Sequence, residues 1–371
     1  MASPPVLDFA RLLAPIPGTS PVGVDLRTDS SPNSTYYKIK GARSAARDAE
    51  KRLIMEGQEP SGAYSEWRPV VEHGSKAIAE QSKDLEILAY MIEALVRQHG
   101  FAGFRDGYRL AREVIEKYWD GVFPRPDEDG LGTRVAHLSG LNGEEADGTL
   151  INPLSNVLIT QGTSVGPYSS QHYNQGNALG AMPDQKVREK RLAEGAVSME
   201  MFTKAVSESS ADFYRNLVDD LAQCEEEFAK ISKLLDEKCG QFAPPSSNIR
   251  SALTAAKDIV FAVARDKIAV PQPAAGAAPQ AGTAASEKAV AAGPGVGALA
   301  TREDAFEILR KVAEFFRRTE PHTPLSYALE QVVRWGKMSL PELLAELIPD
   351  ESPRKQFFRQ VGIKPPEPEK K

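Results

Sequence analysis

KDLEILAYMIEALVRQHGFAGFRDGYRLAREVIEKYWDGVFPRPDEDG, residues 83–130, reads as two amphipathic helices that meet at His99-Gly100 and stop in a Pro- and acid-rich loop. Leu85, Leu88, Ile92, Leu95 and Val96 recur at helical steps and form one apolar stripe. Phe104, Tyr108, Ala111, Ile115 and Tyr118 form the matching stripe on the next helix. Ser82 is the expected N-cap of the first helix, and Gly100 takes the position after its C-cap, where a left-handed residue ends the turn. Two stripes joined by so short a corner must pack on each other, so an antiparallel helical hairpin is predicted. With the stripes turned inward, the expected partner contacts are His99 and Phe101 at the corner, Arg105 and Asp106 in FRDG, and Asp127 and Asp129 in the acidic loop.

On either side of this block the chain reads as all-α. Short helices are predicted over Leu7–Leu13, Tyr36–Met55 and Trp67–Glu80, separated by the turn-forming loop PIPGTSPVGVDLR. Further on, Phe213, Leu217, Leu221, Cys224, Phe228, Ile231 and Leu235 make a near-heptad seam. After Pro244-Pro245 the stripe Ile249, Leu253, Ile259/Val260 and Val263 returns, giving a second long antiparallel hairpin. The segment 271–300 is dominated by Ala, Pro and Gly, cannot bury enough apolar surface to offset its ordering entropy, and is expected to be a disordered tether.

These boundaries define an N-terminal helical domain (1–142), a Gly/Ser-rich connection (143–195) and a middle helical hairpin (196–270). The linker (271–300), a small C-terminal helical oligomerisation domain (301–364) and a tail (365–371) follow. Four short helices are expected in the C-terminal domain, with caps at Thr301, Thr323, Ser339 and Ser352. So small a domain without disulfides or metal ligands is marginal alone. Its aromatic and aliphatic load therefore points to contacts between copies, with Phe315, Phe316, Leu325, Tyr327, Trp335, Leu340 and Leu344 as candidates.

A length of 371 residues at 41% hydrophobic content suffices for real cores, while a net charge of -6 argues against a general nucleic-acid binder. The cations between Lys38 and Arg52 are diluted by Asp48 and Glu50 and spread round a helix, as on a solvated face. Cys224 and Cys239 on one helix would lie about 22 Å apart, beyond disulfide reach. Two reduced thiols, no signal peptide and no membrane-spanning apolar run imply a cytoplasmic protein without membrane insertion.

Chemistry-bearing motifs are weak. Gly162-Thr163-Ser164-Val165-Gly166 fits the G-x-S-x-G pattern and follows the strand-like NVLIT, so a serine hydrolase using Ser164 is one alternative function. Pro167-Tyr168-Ser169-Ser170 then reads as loop where that motif needs a helix, and only His172 and His322 lie downstream as bases. The loop lacks a phosphate-binding lysine, Asp127–Gly130 lacks calcium-loop spacing, and the five histidines show no paired ligand spacing. No catalytic residue, cofactor or metal is expected, and an unrelated helical adaptor is the other alternative.

Three stretches resemble the TssA family of the bacterial type VI secretion system. LLAPIPGTSPVGVDLR looks like the family's opening loop. The block 83–130, with its order of KDL, HGF, FRDG, YW and PRPDEDG, resembles the ImpA-type N-terminal signature. RRTEPHTPLSYALEQVVRWGKMSLPELLAELI, residues 317–348, is similar to one of the family's short C-terminal domains. The resemblance implies a non-enzymatic homo-oligomer, a ring formed by C-terminal domains with N-terminal arms projecting outward. Its implied partners are baseplate subunits, tail tube and spike proteins, sheath proteins and the membrane complex. It would organise baseplate and tube/sheath polymerisation, and the short EPHTP domain favours a baseplate-linked role over tail capping.

Overall fold

The computed structural model describes residues 2–128, 130–268, 302–319, 324–338 and 340–347. The chain divides into two units, Met1–Gly276 and Ala277–Lys371, each described by itself. Among the described residues the secondary structure is helical, with isolated β-bridges and no strand.

The first unit opens with α1 (Phe9–Leu12), α2 (Thr35–Met55) and α3 (Arg68–Glu80), within a residue or two of the predicted spans. Next comes α4 (Leu85–Tyr118), broken where Gly100 adopts φ 56° and ψ −132°. That left-handed backbone is open to glycine at little cost, and it turns the second half of α4 back on the first. At the crossing, a Cβ on Gly103 would lie 2.0 Å from the Leu95 carbonyl oxygen, so the backbones approach as only glycine permits. The predicted hairpin is therefore present. Its N-cap is not Ser82: the Asp84 carboxylate accepts from the Glu86 and Ile87 N–H groups at 2.9 and 3.3 Å. The stop folds back on the start, with Phe123 N donating to Lys83 O at 2.9 Å and Leu85 N to Phe123 O at 2.7 Å.

After α5 (Leu131–Asn142) the connecting region is helical too, with α6 (Ile151–Ser155), α7 (Ser170–Gly180) and α8 (Gln185–Ala193). NVLIT forms no strand; Leu158 makes a single bridge to Ser169. After α9 (Met199–Glu208), capped by Ser198, the heptad seam forms α10 (Ala211–Cys239) and the returning stripe forms α11 (Ser247–Ile268). The face of α10 that carries Leu217, Leu221, Cys224 and Phe228 is buried against α4: the Phe228 ring lies 5.9 Å from Phe104 and 5.1 Å from Tyr108. One continuous apolar core thus runs from Leu12 to Ala264. Both cysteines are buried free thiols on α10.

The second unit contains α12 (Arg302–Thr319), α13 (Leu325–Trp335) and α14 (Leu340–Leu347), with Ala313 and Val333 buried inside it. The tether 271–300, the capping residues Thr301, Thr323, Ser339 and Ser352, and the fourth C-terminal helix lie outside the described residues.

Candidate functional site

The hairpin corner borders a cleft of about 810 Å3. One wall comes from the first 102 residues, with Glu59, Tyr64, His99 and Phe101; the other comes from Leu158, Tyr168, His172 and Met201. Leu158 and Met201 are among the large apolar side chains left exposed in the first unit. Concavity, a mainly apolar lining and a few polar groups are the general marks of a binding site.

Two of its polar groups, His172 and Glu59, are committed to structure. Ser169 caps α7: its hydroxyl lies 2.8 Å from His172 Nδ1, which also accepts from the Ser169 N–H at 3.1 Å. On the far side of that imidazole, Nε2 meets Glu59 Oε1 at 3.4 Å. The order serine, histidine, carboxylate matches a nucleophilic triad, yet Ser169 is fully buried and its hydroxyl serves the helix cap. Ser164, the residue of the G-x-S-x-G pattern, has no imidazole partner. Its hydroxyl donates to Glu208 Oε1, and the Ser164 and Thr163 N–H groups donate to Glu208 Oε2 at 2.8 and 2.7 Å. The Ser164 hydroxyl and those N–H groups hold the Glu208 carboxyl down at about 2. So weak a base cannot activate a serine at neutral pH. Among the described residues, no cluster of three His, Cys, Asp or Glu side chains has metal-holding geometry.

The partner-contact expectations divide. His99 and Asp127 are exposed, Asp127 accepting from the Thr133 hydroxyl at 2.6 Å; Asp129 lies outside the described residues. Phe101, Arg105 and Asp106 are corrected: they are 3%, 6% and 1% exposed. Phe101 turns into the core because the Gly100 break aims the second half of α4 at α10. Arg105 and Asp106 sit mid-helix, not in a turn, and face Asp220 of α10, with Arg105 Nη1 at 3.1 Å from Asp220 Oδ1.

A polar stripe on α4 escaped the sequence reading. Glu86, Tyr90, Glu93 and Arg97, spaced four, three and four apart, face α2 and its flanks. Glu86 accepts from the Tyr36 and Tyr90 hydroxyls at 2.9 and 2.6 Å and pairs with Arg27 at 2.9 Å. Glu93 pairs with Arg43, while Arg97 grips Glu50 at 2.5 and 3.1 Å and stacks 4.0 Å over Trp67. Burial works to raise the Glu86 carboxyl, but the Tyr90 hydroxyl, His137 and Arg27 together hold it below its ordinary value. Ionised residues at helical spacing within an otherwise apolar helix were the available signal. This stripe is a packing device that fixes α2 on α4, since every buried charge in it is paired.

In the second unit, Phe315 and Tyr327 are 52% and 65% exposed, whereas Phe316 and Trp335 are half-buried and the Trp335 ring N–H donates to Glu346 at 3.1 Å. The side chains of Leu325, Leu340 and Leu344 lie outside the described residues.

The fold and this geometry define an all-helical body in which the α4 hairpin is closed by α10. The family described as ImpA, N-terminal, type VI secretion system matches residues 13–143. Residues 13–143 thus carry the ImpA N-terminal region, and the chain as a whole is similar to TssA components of the type VI secretion system. It is 26% identical over 358 residues to the type VI secretion system component TssA1 of Pseudomonas aeruginosa, covering 93% of this chain and 96% of that one. The fold is that of the N-terminal domain, including the conserved ImpA_N region, of the TssA component from Burkholderia cenocepacia. That match has a TM-score of 0.58 at 23% identity and covers 71% of this chain and 96% of that one.

Proposed function

We propose that the protein is a non-enzymatic, ring-forming assembly component of the type VI secretion system. In this reading it organises baseplate and tube/sheath polymerisation, with residues 1–270 as arms on a ring built by residues 301–364. The observation that carries it is the surface of the second unit. Phe315, Tyr327, Val332 and Leu347 stay exposed there, on amphipathic helices. Exposed apolar patches of this kind mark protein–protein contacts, and a closed ring satisfies them on every copy. Tethering many arms to one ring raises the avidity of weak arm contacts toward baseplate, tube, spike, sheath and membrane-complex proteins. A cytoplasmic location accords with the two buried free thiols, and among the described residues no helix is long and apolar enough to cross a membrane.

Multi-angle light scattering on the full chain tests the ring. The wild type is expected to run as a discrete oligomer. The double variant Phe315→Asp/Tyr327→Asp should fall to monomers with unchanged helical content, because both side chains are solvent-facing within one copy. A monomeric wild type at micromolar concentration refutes the proposal.

A further inference from the structure

Arg105, Asp106 and Asp220 form a buried cluster with one cation against two carboxylates. Such a cluster needs further donors to be tolerated away from water. The chain's first residues supply them. Asp220 accepts from the Ser3 N–H at 2.8 Å and from the Ser3 hydroxyl at 2.5 Å. Asp106 accepts from the Val6 N–H at 2.6 Å. Arg105 in turn donates to the Ser3 carbonyl at 2.8 Å and the Pro4 carbonyl at 3.3 Å. All but one of these five bonds use the backbone of the strap.

The slot therefore reads an extended main chain. Its sequence preference follows from what lies between the two N–H donors. Pro4 and Pro5 have no N–H to leave unpaired, and their fixed φ keeps the strap extended. A hydroxyl residue, two residues that donate nothing and an apolar residue packed on the core are the pattern that fits. Val6 packs against the core in that last position.

The strap also divides two open spaces. Ser3 and Asp220 lie on the wall of the cleft of about 810 Å3 at the hairpin corner. On its other side, Pro4, Pro5, Arg105 and Asp106 border a second cavity of about 460 Å3, which continues past Arg109 to Glu227. Lifting residues 2–6 joins the two spaces into one groove between α10 and the second half of α4, floored by backbone-reading charges.

We propose that residues 3–6 are a built-in occupant of a peptide-binding groove, and that the groove's ligand is an extended Ser/Thr-Pro-Pro-apolar segment of a partner protein that displaces them. The strap then acts as an internal competitor, keeping Arg105 and Asp106 covered until a better ligand arrives. This stands on the geometry of the first unit and holds whether or not the chain forms a ring.

The probe is a fluorescent peptide with the sequence of residues 2–9, ASPPVLDF, titrated by anisotropy. A chain lacking residues 1–6 is expected to bind it saturably, at least tenfold more tightly than the intact chain, and Asp220→Asn in that background should abolish binding. A second variant, the intact chain carrying Ser3→Ala, keeps the backbone N–H bond to Asp220 but loses the hydroxyl bond to it, which weakens strap closure. It should bind the peptide about tenfold more tightly than wild type, the effect of losing roughly one charge-assisted hydrogen bond. If the truncated chain keeps its helical content and binds no better than wild type, or if Ser3→Ala leaves affinity unchanged, the groove is not a peptide site. If the truncated chain instead captures intact chains and ignores the peptide, the slot serves exchange between copies, and the partner reading is overturned.

Discussion

Gly103→Ala should destabilise the first unit although alanine is the better helix former. Gly103 lies inside the second half of α4 with ordinary helical geometry, so propensity alone gives the substitution about 1 kcal/mol of stabilisation. The added Cβ would sit 2.0 Å from Leu95 O, 2.5 Å from Leu95 C and 3.1 Å from His99 Cβ. Two of those atoms are backbone, and no rotamer change clears them, so the halves of the hairpin must move apart by more than an ångström. Overpacking that shifts backbone costs about 3 kcal/mol, which leaves a net loss of about 2 kcal/mol. Gly107→Ala meets a side-chain atom, Ile92 Cγ1 at 2.9 Å, and should cost less. Gly41→Ala, in α2 with nothing within 4 Å, should raise stability by about 1 kcal/mol. Urea unfolding followed by far-ultraviolet circular dichroism ranks the three midpoints. A Gly103→Ala midpoint at or above wild type would show that the hairpin crossing is not glycine-dependent and refute the close approach.

Two further outcomes follow from buried ionisable groups. Lys83 donates to Leu12 O at 2.7 Å and Ile78 O at 2.8 Å, and burial, helped by Lys117, lowers its pKa from 10.5 to about 8. Between those values the unfolded chain holds a proton that the native chain has released, so stability rises with pH across that window. Relative to Lys83→Met, the wild-type unfolding free energy should climb by about 3 kcal/mol from pH 7.5 to pH 10.5, and parallel curves would contradict it. For the thiols, burial raises Cys224 well above its usual value and Cys239 to about 11. At pH 8 both should resist a thiol-reactive chromogen in the native state and react at once in denaturant; rapid native labelling of Cys224 would mean that α10 is not seated on α4.

The hairpins were legible because their information is local. Apolar residues at steps of three and four, a glycine at the corner and a proline-rich stop all lie within 48 residues of one another. The buried charges were not, because a charged side chain is taken as solvated unless its partner is known. Arg105 finds Asp220 at a distance of 115 positions, and Arg43 finds Glu93 at 50. Nothing near either residue announces the pairing. Ser82 fails as a cap for a related reason: Asp84 both caps α4 and accepts from Arg27 Nη2 at 2.7 Å, so the carboxylate takes the position that a local rule gives to the hydroxyl. The G-x-S-x-G match misled in the opposite direction, since its spacing is local but the strand, helix and base that give it meaning are not there: Ser164 is spent on Glu208.

The seating of Phe228 between Phe104 and Tyr108 has a practical bearing on how this chain can be divided. The family match ends at residue 143, whereas the rings that complete its hairpin arrive from α10, more than eighty residues later. A recombinant piece cut at the match boundary would carry Phe101, Phe104 and Tyr108 bare to water and leave Arg105 without its carboxylate on α10. It should self-associate or unfold, and its behaviour would say little about the intact first unit. Residue 268, where α11 ends, is the first cut that keeps the cofolded partner in place.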